Sequence, residues 1–175
     1  MDLTLQWTAF PLHPETPEEG RSLEELFAGR GVDIPAVLAR LKSTAAGLGL
    51  PFTARSMTYN SRRAQELGKW AEAEGRGDAF HLLAFEAYFA HGRNIGQLDV
   101  LMDLAASAGL DPQEARMVMA QGRYQAAVDA DWQRSREWGI TAVPTFQIQD
   151  RRLVGAHPYE AIRDLAIAAG ARRRG

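Results

Sequence analysis

The sequence predicts an α/β fold in which a large helical block is inserted into a small sheet domain. Three observations carry that expectation. Leu3, Leu5 and Trp7 alternate with Thr4, Gln6 and Thr8, the period of two that marks a half-buried strand. From Ser22 to Glu137 the apolar spacing is helical, segment after segment, as expected where each helix lays one stripe on a common core. From Val143 the pattern returns to a strand, a turn, a second short strand and a last helix.

The elements follow in order. The first strand, Leu3 to Thr8, ends at Phe10-Pro11-Leu12-His13-Pro14, because proline removes a ladder donor and forces the residue before it into extended geometry. Glu15 to Gly20 is a polar loop. Ser22 and Glu25 have capping-box spacing, which predicts a short helix through Phe27, and Gly29 and Gly31 stop it. Asp33 and Pro35 open a second helix carrying Ile34, Val37, Leu38 and Leu41, closed by Gly47 and Gly49.

Asn60 is placed to cap a helix with Ala64, Leu67, Gly68 and Ala71 on one face, ending at Gly75. Asp78 is placed to cap the next, Ala79 to Ala90. That helix is apolar nearly all round, through Phe80, Leu82, Leu83, Phe85, Tyr88 and Phe89, so it is expected at the buried centre of the cluster. Val100, Leu101, Leu104 and Ala105 mark a further helix, stopped at Gly109. Asp111-Pro112-Gln113-Glu114 combines a cap, a first-turn proline and a capping-box glutamate, a strong start for a helix through Met119. A long helix from about Tyr124 to Glu137 ends at Gly139. Val143 to Gln149, a turn at Asp150-Arg151, and Leu153-Val154 form a hairpin, and Tyr159 to Ala169 is a helix with Tyr159, Ile162, Leu165 and Ala166 inward. The expected division is therefore residues 1–20 with 123–175 in the sheet domain and residues 21–122 in the helical insertion.

Composition narrows the function classes. A chain of 175 residues that is 46% hydrophobic and 24% charged is long enough to bury a core. The net charge of −2 and pI near 6.1 give no general basic field for nucleic acid. The run Arg172, Arg173 and Arg174 reads as a solvated tail. No apolar run approaches the roughly 18 residues that cross a bilayer, and the first residues lack the basic and apolar regions of a signal peptide. The expectation is a soluble, cytoplasmic protein with no membrane partner. With no cysteine in the chain, disulfides, thiolate metal sites and thiol nucleophiles are excluded within it.

Histidines are the remaining reactive candidates. His81 and His91 lie nearly three turns apart on one helix, and no H-x-x-x-H or H-E-x-x-H occurs, so no metal or other cofactor is expected. His157 precedes Pro158 at a helix start, where an N-cap-like role competes with a place beside a binding groove. Asp129 with Asp131, and Glu24 with Glu25, read as solvated helix faces. Trp70, Trp132 and Trp138 read as packing anchors.

One constellation points to a known family. Ile140-Thr141-Ala142-Val143-Pro144-Thr145-Phe146, followed by Leu153-Val154-Gly155-Ala156-His157-Pro158-Tyr159-Glu160, resembles the C-terminal half of the DsbA-like thioredoxin superfamily, nearest its FrnE-like cytoplasmic branch. Asn60 to Trp70, the Tyr88-Phe89 pair before Gly92-Arg93-Asn94-Ile95-Gly96, and Ala108-Gly109-Leu110-Asp111 resemble the inserted helical subdomain of that branch. Trp7, Phe10, Leu12 and Pro14 resemble the strand that follows the family's first helix. The resemblance implies a thioredoxin-like fold and thiol–disulfide oxidoreductase chemistry, by dithiol–disulfide exchange or isomerisation.

It also implies the site. Pro144 is expected to be cis, which before proline costs only about 0.5 to 1 kcal/mol, and Val143 is expected to offer its amide and carbonyl to an extended peptide. Ala142, Val143, Pro144, Thr145 and His157 are the substrate-binding candidates, with a protein or peptide thiol or disulfide as partner. The family's Cys-x-x-Cys, whose helix dipole and free amides lower the thiolate pKa, lies upstream of the strand matched by Leu3 to Thr8. The chain is thus expected to lack an N-terminal strand and helix of about thirty residues, the scale of a βαβ unit, and to be inactive alone. Without that strand, the Leu5 segment is expected either to close on the hairpin or to pair with a second copy as a homodimer, since unpaired edges are unfavourable. Two other readings stand beside this one. One is a glutathione-dependent enzyme of the kappa-transferase type, with glutathione as partner. The other is a non-catalytic thioredoxin-like module that binds a peptide or a subunit.

Overall fold

The structure, a computed structural model, describes residues 3–172; Arg173 and Arg174 of the basic tail lie outside the described residues. The chain forms two compact units, one from residues through Phe10 together with those from Asp129 onward, the other from Pro11 to Val128. Residues 11–20 and 123–128 therefore belong with the helical unit. Pro11 and Pro14 end the alternating run, and Asn60 then ties the following loop down by donating to the carbonyls of Pro14 and Thr16.

The helical unit begins with a two-residue ladder that sequence periodicity does not reveal: β1 (Arg21–Ser22) pairs antiparallel with β2 (Met57–Thr58). Helix α1 (Leu23–Leu26) starts at Ser22, where both bonds of the capping box form at 3.1 Å. Helix α2 (Ile34–Gly47) is capped by Asp33, whose carboxylate accepts from the Ala36 amide at 2.9 Å. Helices α3 (Arg62–Ala73), α4 (Gly77–Phe85), α5 (Leu98–Ser107) and α6 (Pro112–Ala120) then pack on one another. Leu67, Ala71, Phe80, Leu101 and Val118 are enclosed at the centre with Trp70.

The start signals fare unevenly. Asp111 is the N-cap of α6, as expected, but its carboxylate accepts from the Gln113 amide and the capping box expected with Glu114 does not form. Ser61, not Asn60, is the N-cap residue of α3, but Asn60 still serves that end because its Oδ1 accepts from the Arg62 amide. Asp78 lies in the first turn of α4, one residue inside the helix, where its charge still suits the dipole. The helix predicted over 79–90 is two pieces. It gives way to a π-helical turn, Glu86–Ala90, and its outer face is open rather than buried: Leu82, Phe85 and Phe89 are 65%, 47% and 37% exposed.

In the other unit, β3 (Thr145–Ile148) and β4 (Arg151–Val154) form an antiparallel hairpin with Thr145 opposite Val154 and Ile148 opposite Arg151. Helix α8 (Tyr159–Ala168) packs on both strands. Ala166 is buried there, but Tyr159, expected inward, is exposed at the first turn. The boundary between the units falls inside α7 (Gln125–Glu137).

The predicted first strand is the main correction. Leu3 to Thr8 has no regular secondary structure and joins no ladder among the described residues, and Leu3 and Leu5 are exposed. Alternation marks which residues could share a face, whereas a strand needs a neighbour for its amides and carbonyls. Among the described residues the hairpin does not provide one, since its only pairing is β3 with β4. The chain just beyond it is tied to α7. The Asp131 carboxylate accepts from the Ala9 amide at 2.9 Å, and the Ser135 hydroxyl donates to the Ala9 carbonyl at 3.4 Å. Asp131, read from sequence as a solvated position, is only 4% exposed.

Candidate functional site

The loop from Thr141 to Pro144 delivers the chain from the end of α7 to the start of β3. Gly139, at φ +62, lets the backbone leave the helix. Arg152 on β4 closes that end by donating to the carbonyls of Trp138, at 2.5 Å, and Gly139, at 3.3 Å, a C-cap supplied from a distant strand that no local sequence signal announces. The Val143–Pro144 peptide is cis. On one side of it the Thr145 hydroxyl donates to the Ala142 carbonyl at 2.6 Å, closing a tight local turn. On the other, the Gly155 amide donates to the Pro144 carbonyl at 2.8 Å, so the end of β4 fixes where the loop sits.

Between these two ties the Val143 backbone is left open. Val143 is 43% exposed, and among the described residues no hydrogen bond engages its amide or carbonyl. An unengaged donor and acceptor on one exposed residue of the bend that leads into a strand is the kind of arrangement that adds a peptide by main-chain pairing. The arrangement supplies hydrogen bonds and no nucleophile.

His157 joins the loop through the same hinge. Its Nε2 lies 2.9 Å from the Val154 carbonyl, and a Cβ on Gly155 would lie 4.0 Å from that nitrogen. The ring thus folds back on the β4 end and does not cap α8, whose N-cap is Pro158 with no side-chain bond. The structure brings Ala142, Val143, Pro144 and Thr145 into one exposed turn, with His157 beside Gly155. Of the other candidates, Trp70 is buried in the helical core, Trp138 is exposed under the Arg134 guanidinium at 5.9 Å, and His81 and His91 pair separately with Glu72 and Glu86. Among the described residues no cluster of His, Asp or Glu is arranged to hold a metal ion, and no helix is long and apolar enough to cross a membrane.

This chain belongs to the DSBA-like thioredoxin domain family, whose pattern it matches over residues 1–166. Its fold is the DsbA-like thioredoxin fold with a helical insertion. Among solved structures it is similar to a probable DsbA oxidoreductase of Streptomyces coelicolor, at 28% identity and a TM-score of 0.81, over 92% of this chain and 73% of that one. A candidate protein disulfide isomerase of Nitrosomonas europaea shares the fold, at 21% identity and a TM-score of 0.63, over 77% of this chain and 72% of that one. Among curated proteins it resembles the uncharacterized protein YwbO of Bacillus subtilis, with 34% identity over 93 residues. That match takes in 50% of this chain and 44% of YwbO.

Proposed function

We propose that this chain is the peptide-gripping part of a cytoplasmic, FrnE-like thiol–disulfide oxidoreductase whose Cys-x-x-Cys segment it does not itself carry. The observation that carries the reading is the Val143 backbone, unpaired and presented outward between the Thr145–Ala142 and Gly155–Pro144 ties. An extended segment of a protein or peptide disulfide docks there through main-chain bonds, with Ala142, Pro144 and Thr145 shaping the turn and His157 holding the adjoining strand end.

The chemistry itself has a fixed requirement. Exchange proceeds by thiolate attack on a disulfide sulfur through a mixed disulfide, and a chain without cysteine forms none. Two further features support a missing strand–Cys-x-x-Cys–helix unit. Leu3 to Thr8, alternating in sequence, joins no ladder, and β3 has one edge without a partner among the described residues. One inserted strand would serve both.

An insulin-reduction assay tests this in two arms. The chain alone gives no turnover above a no-protein control. The chain joined, ahead of Leu3, to the strand–Cys-x-x-Cys–helix segment of the Streptomyces relative reduces insulin. Activity of the cysteine-free chain, or a folded but inactive joined chain, contradicts the proposal.

A further inference from the structure

The loop ahead of β2 lays a guanidinium on the π-helical turn and gives it no counter-charge. Thr53 fastens that loop to the turn, its amide and hydroxyl donating to the Phe89 and Ala90 carbonyls at 2.9 and 2.6 Å. Just beyond it the half-buried Arg55 lies over both rings of the turn. Its guanidinium carbon is 4.5 Å from the centre of the Tyr88 ring and 5.6 Å from that of Phe89, within the range where a ring face attracts a cation. Turns of the π type are rare and recur at functional sites.

The fold uses only part of this guanidinium. Both of its hydrogen bonds leave from Nη1, to the Met57 carbonyl at 3.0 Å and the Tyr88 hydroxyl at 2.7 Å. Nε is buried without an acceptor. Nη2 makes no hydrogen bond among the described residues and, unlike Nε, is not enclosed. No carboxylate pairs with the charge among the described residues either. Glu86, the acid of the same turn, pairs with His91 at 3.4 Å. A half-buried cation with an orphaned donor is unfavourable until an anion meets it.

We propose that Arg55 is the anchor of a binding site for a carboxylate that carries an apolar group. Nε and Nη2 share one edge of the planar guanidinium, an edge whose parallel N–H groups match the two oxygens of a carboxylate, and Nη2 is its open end. The apolar group lies against Phe89, 37% exposed, and Phe85 beside it, 47% exposed, with ring centres 6.4 Å apart. Such a surface favours an apolar acid over inorganic phosphate, which has nothing to place on the rings. Two sources share that chemistry: a free short-chain acid and the C-terminus of a peptide that ends in an apolar residue.

An NMR titration of the 175-residue chain, read at the arginine Nε–Hε signals, tests the site. The Arg55 signal is the one lost in R55K. The probes are hexanoate and acetyl-glycyl-leucine, their neutral amides, and inorganic phosphate. Hexanoate, acetyl-glycyl-leucine or both move the Arg55 signal saturably below about 100 mM, and the tighter of the two identifies the source. The amides and phosphate bind at least about tenfold more weakly. R55K keeps the charge and loses the fork, so it weakens binding at least about fivefold, followed then at the Phe89 ring signals. F89A, at an exposed position, weakens binding at least about threefold with the Arg55 contacts kept and the circular dichroism unchanged. No saturable shift with either acid overturns the proposal, as does equal binding of an amide or of phosphate. A folded R55K or F89A that binds like the wild type overturns it too, and F89A decides if R55K does not fold.

Discussion

Gly155 donates its amide to the Pro144 carbonyl at 2.8 Å, and this bond joins the end of the hairpin to the loop that presents Val143. Gly155 sits at φ +96, a conformation that residues with a Cβ adopt only at a cost. A Cβ there would meet nothing closer than His157 Nε2 at 4.0 Å, so backbone conformation, not crowding, sets the penalty. G155A is expected to lower stability by about 1 to 3 kcal/mol in urea unfolding and to weaken binding of an extended peptide. An unchanged urea midpoint would contradict this.

Asp131 ties the N-terminal segment at Ala9. With Asp131 only 4% exposed and its carboxylate accepting from the Ala9 amide, D131A leaves a donor in the packed region without its acceptor. The expected loss is about 1 to 3 kcal/mol. Hydrogen exchange at the Ala9 amide should quicken in D131A more than in D131N, whose side-chain oxygen still accepts. Equal exchange rates in all three proteins would show that the bond does not hold the segment.

Gly20 shows where a glycine is required by space as well as by angle. It lies at φ +94, and a Cβ would come 2.8 Å from the Thr58 carbonyl oxygen and 2.6 Å from the Tyr59 ring. Backbone cannot give way cheaply beside the β1–β2 ladder. G20A is expected to cost at least about 2 kcal/mol, read as a lower urea midpoint. G29A should cost less, because nothing lies within 4 Å of its Cβ.

Glu72 links stability to pH. Burial alone would raise its carboxyl, but the hydrogen bond from His81, at 2.9 Å, and the bond and charge of Lys69, at 3.0 Å, outweigh it and hold it below the ordinary carboxylate range. A group whose folded pKa is depressed contributes stability above its unfolded pKa, near 4.3, and that contribution is lost as pH falls through the folded value. Unfolding free energy should therefore drop below about pH 4.3 in the wild type. E72Q should show a smaller drop and lower stability at pH 7, by about 1 to 3 kcal/mol. Parallel wild-type and E72Q pH profiles would remove this linkage.

Much of the fold was legible because local rules decide it. Ser22 with Glu25, Asp33 and Asp111 each predict a helix start that the structure makes with a side-chain cap bond, although at Asp111 the partner is the Gln113 amide and not a capping box with Glu114. The period switch after Glu137 likewise locates the hairpin and α8. Leu3 to Thr8 was misread because alternation reports which residues could share a face and a ladder needs a partner elsewhere. Asp131 was misread because its partner, Ala9, is 122 residues away, and Arg152 closes the end of α7 from a different element, 13 and 14 residues beyond Gly139 and Trp138. The apolar face of α4 looked like core because composition cannot tell a stripe covered by the chain from one it leaves open. The turn at Ala142 to Thr145 was readable because its residues are contiguous. The tie that positions it, from Gly155, was not.

The insulin-reduction assay on the joined chain tests the central claim most directly. With the Cys-x-x-Cys unit placed ahead of Leu3, the account predicts turnover that is abolished when both cysteines become serine. It also predicts slower turnover when Val143→Pro removes the free amide. A joined chain that folds, with its cysteines reduced and accessible, and still reduces no insulin would contradict the account.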